Sequence, residues 1–336
     1  MTTRYASVHD PAVLGGPGDA RPTALQIIKD NHLENGLRDK VIIVTGTSSG
    51  IGIETVRALK ATGAKVYAAA RNLDKARTAL SDILEPGKVE LLQLDTASFA
   101  SVRACAKEFL SKESHLNILV NNAGIMAIPE RQLTADGWES QFQTNHLGHF
   151  LLFQLLKPTL LASATPEFPS RVVCVSSVGH RQSPIVFDDL NLSAPDAYNP
   201  WKAYGQSKTA NIYMANEIER RYGPRGLHAW SLMPGGIMTG LQVHVDFSAM
   251  LDLPEVQRIM KSPAQGAATT VLAAVDKDLH GKGGKYLEDC AVAEPVKPEL
   301  VQELAVSGYA PWAYDEEAAK KLWSVSCEIV GVSDDE

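Results

Sequence analysis

Val41-Ile42-Ile43-Val44-Thr45-Gly46-Thr47-Ser48-Ser49-Gly50-Ile51-Gly52, continued by a helical pattern over residues 53–59, decides the architecture, because it reads as buried strand, glycine turn and helix. In such a turn Gly46 would allow the tight reversal, Gly50 the close approach of backbone to a pyrophosphate, and Gly52 the packing of helix on strand. The phosphates would then sit at the positive end of the helix. The spacing is Gly-x-x-x-Gly-x-Gly rather than the commoner Gly-x-Gly-x-x-Gly. Its meaning comes from its place after a buried strand, at the head of a repeating strand-helix pattern.

Outward from that unit, apolar strand patterns recur at residues 66–70, 89–94, 118–120, 171–175 and 227–232, with helical patterns between most of them, and residues 284–287 offer a seventh. Strands alternating with helices predict an α/β Rossmann fold, a doubly wound parallel sheet of about seven strands with helices on both faces. Right-handed crossovers put the strand ends, and the ligand, on one edge. We expect an amino-terminal arm over 1–38 with a helical stretch at 23–31, a nucleotide-binding domain over 39–295, and a carboxyl-terminal extension over 296–336. The arm packs either on the domain or on a partner subunit. The cluster Gly15-Gly16-Pro17-Gly18 and the tail Ser333-Asp334-Asp335-Glu336 read as solvated ends.

A chain of 336 residues with 45% hydrophobic content can bury one large core, and 25 glycines suit many tight strand-helix turns. Lys and Arg number 32 against 39 Asp and Glu, a net charge of −7 with no basic block, which argues against nucleic acid as a partner. Residues 1–10 lack the apolar core of a signal peptide. No run approaches the roughly 20 apolar residues that span a bilayer. Cys105, Cys174, Cys290 and Cys327 have no metal-ligand spacing, so no metal is expected and the thiols fit a reduced, cytoplasmic protein.

The chemistry is announced by Tyr204-Gly205-Gln206-Ser207-Lys208. Residues four apart share a helix face, so the Lys208 charge would favour the phenolate and draw the Tyr204 pKa below its reference of about 10. A phenol tuned this way gives or takes a proton.

The order and spacing of these motifs resemble the short-chain dehydrogenase/reductase family over about 39–295. The matching residues are Thr45 to Gly52, Asn121-Asn122-Ala123-Gly124, Asn145, the pair Ser176-Ser177, Tyr204-x-x-x-Lys208 and Pro234-Gly235. Asn145-His146-Leu147-Gly148-His149-Phe150, Ser207-Lys208-Thr209-Ala210-Asn211 and Gly284-Lys285-Tyr286-Leu287-Glu288-Asp289-Cys290 look like the retinol-dehydrogenase and WW-domain-oxidoreductase branch. Retinol-active relatives often carry a membrane anchor, and its absence counts against a membrane-bound retinoid enzyme.

The resemblance implies a nicotinamide dinucleotide held by Gly46, Ser48, Ser49, Gly50, Ile51 and Gly52, by Arg71, Asp95 and Thr96, by Asn122, Ala123 and Gly124, by Tyr204 and Lys208, and by Pro234, Gly235, Ile237 and Thr239. Asp95 would reach the adenine amino group or simply cap the helix after it. Asn122 would lie along the ribose, and Ile237 with Thr239 would flank the nicotinamide amide. At the end of the second strand, Ala70 stands where a carboxylate would bond a ribose 2′-hydroxyl, and Arg71 follows. That pattern favours NADP over NAD. Ser49 adds no second basic group there.

By the same resemblance Asn145, Ser177, Tyr204 and Lys208 form the catalytic set. Ser177, at a strand end, would donate to the substrate carbonyl where charge develops, and the second serine of the pair is chosen because the family's active serine takes that position. Asn145 would kink its helix and hold a water that relays protons to Lys208. Here Tyr204 lies 27 residues beyond Ser177, a longer gap than in the family's shorter members. The insert at 180–201, with Phe187, Leu190, Leu192, Tyr198 and Trp201, either roofs the substrate pocket or packs locally. A lid at about 237–263, with Met238, Leu241, Met250, Leu251, Leu253 and Met260, supplies the other wall or the core face of a lid helix. His180 and His244 either touch substrate or are solvated.

The resulting expectation is an NADP-dependent carbonyl reductase or alcohol dehydrogenase for a lipophilic ketone, aldehyde or secondary alcohol. A same-fold epimerase, dehydratase or cyclase is the first alternative, and a non-catalytic nucleotide-binding protein the second. Family members often form homo-oligomers through the helices bearing Asn145 and Tyr204, contacts that the arm and extension here would block or extend.

Overall fold

The computed structural model describes residues 3–303 and 306–334. Helix α1 (Ala24–Asp30) precedes strand β1 (Val41–Thr45), which turns through Gly46 into α2 (Ile51–Ala61). The pattern repeats as β2 (Lys65–Ala70), α3 (Leu73–Ala79), β3 (Val89–Gln93), α4 (Phe99–Lys112) and β4 (Ile118–Asn121). A short α5 (Ser140–Phe142) runs through a π-helical segment (Gln143–Leu147) into α6 (Gly148–Ser163), followed by β5 (Ser170–Val175), α7 (Pro200–Tyr222) and β6 (Leu227–Met233). Four short helices come next: α8 (Ser248–Leu251), α9 (Pro254–Ile259), α10 (Pro263–Gly266) and α11 (Ala268–Val275). Strands β7 (Lys285–Glu288) and β8 (Ala291–Val292) and helix α12 (Glu316–Val330) close the chain.

The sheet order is β3-β2-β1-β4-β5-β6-β7-β8. Every neighbouring pair is parallel except the last, where β8 turns back on β7. The expected seven strands are present, and β8 is an addition. It follows a two-residue turn in which Asp289 (φ 52°) and Cys290 (φ 59°) both take left-handed backbone, a turn usually announced by Asn-Gly or Asp-Gly. Neither residue is glycine, so the sequence carries no such signal.

β1 pairs with β2 on one side and β4 on the other, with Val44 opposite both Ala68 and Val120. The winding reverses between β1 and β4, which opens a crevice beyond their carboxyl ends. Ile42 and Ile43 are both completely buried, on opposite faces. Each contributes about 1.5–3 kcal/mol only while its face stays covered, so both faces need helices. Val56, Leu59, Leu272, Ile27 and Ile28 cover the Ile42 face; Phe109, Phe150, Phe153 and Trp323 cover the Ile43 face.

The arm therefore packs on the body of its own chain, with Thr23 Oγ1 capping α1 by accepting from the Gln26 amide. Gly16 is buried rather than solvated, and the Gly18 amide donates to Gln265 Oε1 at 2.9 Å. At the other end, Trp323 of α12 meets Phe150 edge-on at 5.0 Å, and the Arg221 guanidinium lies 4.7 Å from the Trp323 ring centre. Asp334 is tied to Arg221 at 3.0 Å and to Ser324 Oγ at 2.6 Å. Of the tail read as solvated, Ser333 and Asp334 are exposed, and Asp335 and Glu336 lie outside the described residues.

Candidate active site

The crevice is a cavity of about 710 Å³ that runs from the glycine turn to the lid. Gly46 (φ +73°) and Gly50 (φ +62°) hold backbone that side-chain-bearing residues rarely adopt. A Cβ on Gly52 would stand 2.2 Å from the Gly46 carbonyl oxygen, which keeps α2 tight on the turn. Gly50 caps α2 without a side chain, so the first N–H groups of that helix open into the cavity. Beneath them Thr45 Oγ1 accepts from the amides of Asn122 and Ala123, each at 2.9 Å. Asn122 Nδ2 donates to the Thr45 carbonyl at 2.7 Å, while its Oδ1 is buried without a partner among the described residues. An uncapped helix start beside an unpaired amide oxygen fits the phosphates and ribose of a dinucleotide.

At the β2 end, Arg71 is exposed on the cavity rim, and Lys75, one helical turn further on, joins it. The sequence reading missed Lys75, although the spacing Arg71-x-x-x-Lys75 was there to be read. Asp95 also lines the cavity, with Oδ1 accepting from the Ala97 amide at 3.0 Å. It does not cap the following helix: Ser98 does, accepting from the Ser101 amide.

Asn199 caps α7 by accepting from the amides of Trp201 and Lys202, and Pro200 occupies its first turn. One turn later comes Tyr204, 3% exposed, and a further turn on Lys208, 4% exposed. Ser177 Oγ accepts from the Gly179 amide at 3.0 Å, and it stands beside the tyrosine: a Cβ on Gly179 would meet both Tyr204 Cε1 at 2.6 Å and Ser177 Oγ at 3.4 Å. Ser176 Oγ instead donates to the Lys208 carbonyl at 2.8 Å, so it braces α7 and leaves Ser177 to the cavity.

The electrostatics differ from the expectation. Burial pushes the Tyr204 phenol up to about 12, against the lowering effect of Ser177. Burial also draws Lys208 down to about 8, against the opposing electrostatic effect of Cys174. The Lys208 ammonium lies 5.5 Å from the centre of the Tyr204 ring and donates to the Val175 carbonyl at 3.2 Å. Helix spacing brings the two side chains together, but desolvation is the largest influence on each of them.

Asn145 sits in the π-helical segment, so its helix is distorted where a kink was expected. Its side chain stands behind the cavity wall. Nδ2 donates to the Ile125 carbonyl (3.0 Å) and Ser207 Oγ (2.8 Å), and Oδ1 accepts from the Ile125 amide (2.9 Å). It therefore bonds no group of Lys208 directly. A Cβ on Gly124 would meet both Asn145 Oδ1 at 3.2 Å and Lys208 Nζ at 3.4 Å, which places that glycine between them. The other expected catalytic residues, Ser177, Tyr204 and Lys208, and all the expected cofactor residues line the cavity.

The remaining wall corrects the sequence reading. Of the insert, only Gln182 and Trp201 line the cavity. Leu190 and Leu192 are buried, Phe187 packs on the core, and Tyr198 donates to the Ile128 carbonyl at 2.7 Å, so local packing holds most of it. His180 neither touches the cavity nor meets solvent: Nδ1 is 2.6 Å from the Ser177 carbonyl, and Nε2 accepts from the Ala310 amide at 2.9 Å. Burial holds its pKa down to about 4. His244 is exposed and outside the lining. In the lid, Met238, Leu241, Met250, Leu251 and Met260 line the cavity as expected, but Leu253 is 45% exposed and points away. Phe247, Val256 and Ile259 complete the wall. Among the described residues no group of side chains could hold a metal ion, and no helix is long and apolar enough to cross a membrane.

A short chain dehydrogenase profile matches residues 40–188. The chain is 58% identical over 322 residues to the short-chain dehydrogenase/reductase prx1 of Penicillium roqueforti, covering 95% of this chain and 93% of that one. It is 38% identical to the human WW domain-containing oxidoreductase, covering 93% of this chain and 72% of that one. Among solved structures, an uncharacterised protein from Mycobacterium paratuberculosis superposes with a TM-score of 0.66 at 30% identity, covering 96% of this chain and 100% of that one. A short-chain dehydrogenase from Shigella flexneri 2a, complexed with NADP, gives 0.60 at 25% identity over 76% of this chain and 99% of that one.

Proposed function

The chain belongs to the short-chain dehydrogenase/reductase family of oxidoreductases, and from that premise we propose that it transfers a hydride between NADP and a lipophilic ketone, aldehyde or secondary alcohol. The observation that carries the proposal is the placement of Ser177 and Tyr204 side by side in a cavity whose one half is a glycine turn and whose other half is apolar. The charged lining residues Arg71, Lys75 and Asp95 all belong to the β2–β3 end, and Lys208 alone lies beside the tyrosine. Trp201, Phe247 and the methionines of the lid offer no partner for a carboxylate or phosphate on the substrate. A neutral, apolar carbonyl compound suits that surface.

Support for NADP comes from Arg71 and Lys75 on the rim, where both could meet a ribose 2′-phosphate, and from the NADP-complexed neighbour. Asn122, Lys208 and the first turn of α2 would hold the ribose and phosphates. When bound, the reduced nicotinamide supplies the hydride to the carbonyl carbon. The Ser177 hydroxyl donates a hydrogen bond to the carbonyl oxygen, and the Tyr204 hydroxyl gives that oxygen its proton. A phenol pushed up to about 12 is protonated at neutral pH, the form that reduction requires. The Lys208 ammonium, one turn away, stabilises the phenolate left behind.

The test is a screen of lipophilic ketones, aldehydes and alcohols with both nicotinamide cofactors, followed by the near-ultraviolet absorbance of the reduced form. Stoichiometric consumption of NADPH with alcohol formation is expected. Product formation without net consumption would identify a non-redox enzyme, and a higher kcat/KM with NADH would overturn the cofactor assignment.

A further inference from the structure

Arg21 belongs to the amino-terminal arm, far in sequence from every residue of the site, and is 4% exposed. Its Nε donates to Asp19 Oδ1 at 2.9 Å and its Nη2 to the Gly16 carbonyl at 3.1 Å, which fixes the guanidinium within the arm. The other bonds cross to the lid. Nη1 donates to the Ile259 carbonyl at 2.9 Å, and Nη2 to the carbonyls of Met260 (2.5 Å) and Arg258 (3.4 Å). These carbonyls lie at the carboxyl end of α9, where a helix leaves acceptors unpaired and a cation is favoured. The grip is reciprocal, because Arg258 Nε donates to the Leu14 carbonyl at 3.0 Å and Gln265 Nε2 to the Arg21 carbonyl at 3.2 Å.

What Arg21 holds faces the cavity. Ile259 and Met260 are lining residues on either side of a peptide unit bonded by its guanidinium. One residue later the Lys261 amide donates to the Gly236 carbonyl at 2.8 Å, and Lys261 Nζ donates to the Pro234 carbonyl at 3.3 Å. The gripped segment is thus joined directly to the loop that follows β6 at the junction of the two halves of the cavity.

We propose that Arg21 is a positioning residue for the substrate half of the cavity: by holding the carbonyl end of α9, the arm sets how far the Ile259–Met260 wall stands from Tyr204, and so which substrates fit. The proposal rests on reading this cavity as the site of a carbonyl reductase. A guanidinium is needed because three lid carbonyls must be met from one planar fork, a geometry that an ammonium reproduces only in part.

Two variants of the full-length protein, Arg21→Met and Arg21→Lys, test it with 1-decalone as a bulky probe and cyclohexanone as a small one. Arg21→Met should raise amide exchange over residues 254–261 by about tenfold or more while leaving α2 and α7 protected as in the wild type. KM for 1-decalone should rise about tenfold with kcat changed less than about twofold, and cyclohexanone turnover and NADPH affinity should stay as they were. Arg21→Lys should recover part of both losses, and it carries the comparison should the methionine variant not fold. Unchanged exchange over 254–261 would overturn the proposal, as would faster exchange with an unchanged KM for 1-decalone. Should the wild type reduce neither ketone with either cofactor, that result counts against the proposed function, and amide exchange alone then decides whether Arg21 holds the lid.

Discussion

Gly179 lies so close to Tyr204 that a methyl group on it would stand 2.6 Å from Cε1 and 2.7 Å from Cδ1 of the ring. The ring has no free direction to take, because it is 3% exposed and packs with Met126 and Ala127. The Gly179 amide also donates to Ser177 Oγ, so this one glycine sets the seats of both hydroxyl groups. Gly179→Ala is expected to lower kcat by about 10²-fold through displacement of the phenol. NADPH affinity, read by fluorescence titration, should be unaffected. A variant with wild-type kcat would show that the phenol acts from another position.

Tyr204→Phe keeps the ring and its packing but removes the proton. Cofactor binding should persist while kcat falls by about 10²–10⁴-fold, the range for a lost general acid. Ser177→Ala removes one donor to the developing charge and should cost about 10²–10³ in kcat. Because the two hydroxyls act together on one substrate oxygen, the double variant should lose far less than the product of the single losses. Steady-state kinetics of the three proteins against one ketone checks this, and full activity in Tyr204→Phe would remove the mechanism.

The parts of this molecule that were readable in advance are those fixed by local chemistry. β1 and the turn into α2 follow from four aliphatic residues ahead of glycines, and the Tyr204–Lys208 adjacency follows from helix geometry. What escaped depends on residues distant in sequence. Trp323 completes the core against Phe150 and Phe153, and Ile27 and Ile28 cover the opposite face, yet the sequence marks the second segment only as a helical stretch of the arm and the first only as an extension beyond the main pattern. His180 looked like a loop histidine because its partners, Ser177 and Ala310, come together only in the folded chain. Burial, which reverses the expected shift at Tyr204, is likewise a property of the whole packing.

Cofactor choice should depend on two cations at the rim. Among the described residues neither the Arg71 guanidinium nor the Lys75 ammonium has a hydrogen-bond or ion-pair partner, and both residues are exposed, so removing these side chains should not disturb the fold. Each charge-assisted bond to a phosphate contributes about 1.5–3 kcal/mol. Arg71→Ser is therefore expected to raise KM for NADPH by about tenfold or more, and Lys75→Ser by less, with NADH kinetics left alone. Measuring kcat/KM for both cofactors in each variant is the check; equal losses for NADPH and NADH would show that neither residue reads the 2′-phosphate.

Lys208 makes cofactor binding pH-dependent, with a sign that follows from its burial. In the protein its pKa is held down to about 8, so the ammonium is mostly present at pH 7 and mostly lost at pH 9. A dinucleotide carries negative phosphates and favours the charged form, so bound cofactor raises the pKa of Lys208 above its value in the free protein. Protons are thus taken up on binding between those two values. NADPH affinity should stay level from about pH 6 to 7.5, then weaken by up to tenfold for each further pH unit until the pKa of the complex is reached. Lys208→Met should bind more weakly throughout and show no such break. Fluorescence titrations across this range decide the matter: a break that survives in Lys208→Met belongs to another group, and affinity that rises with pH would mean that the neutral amine is the binding form.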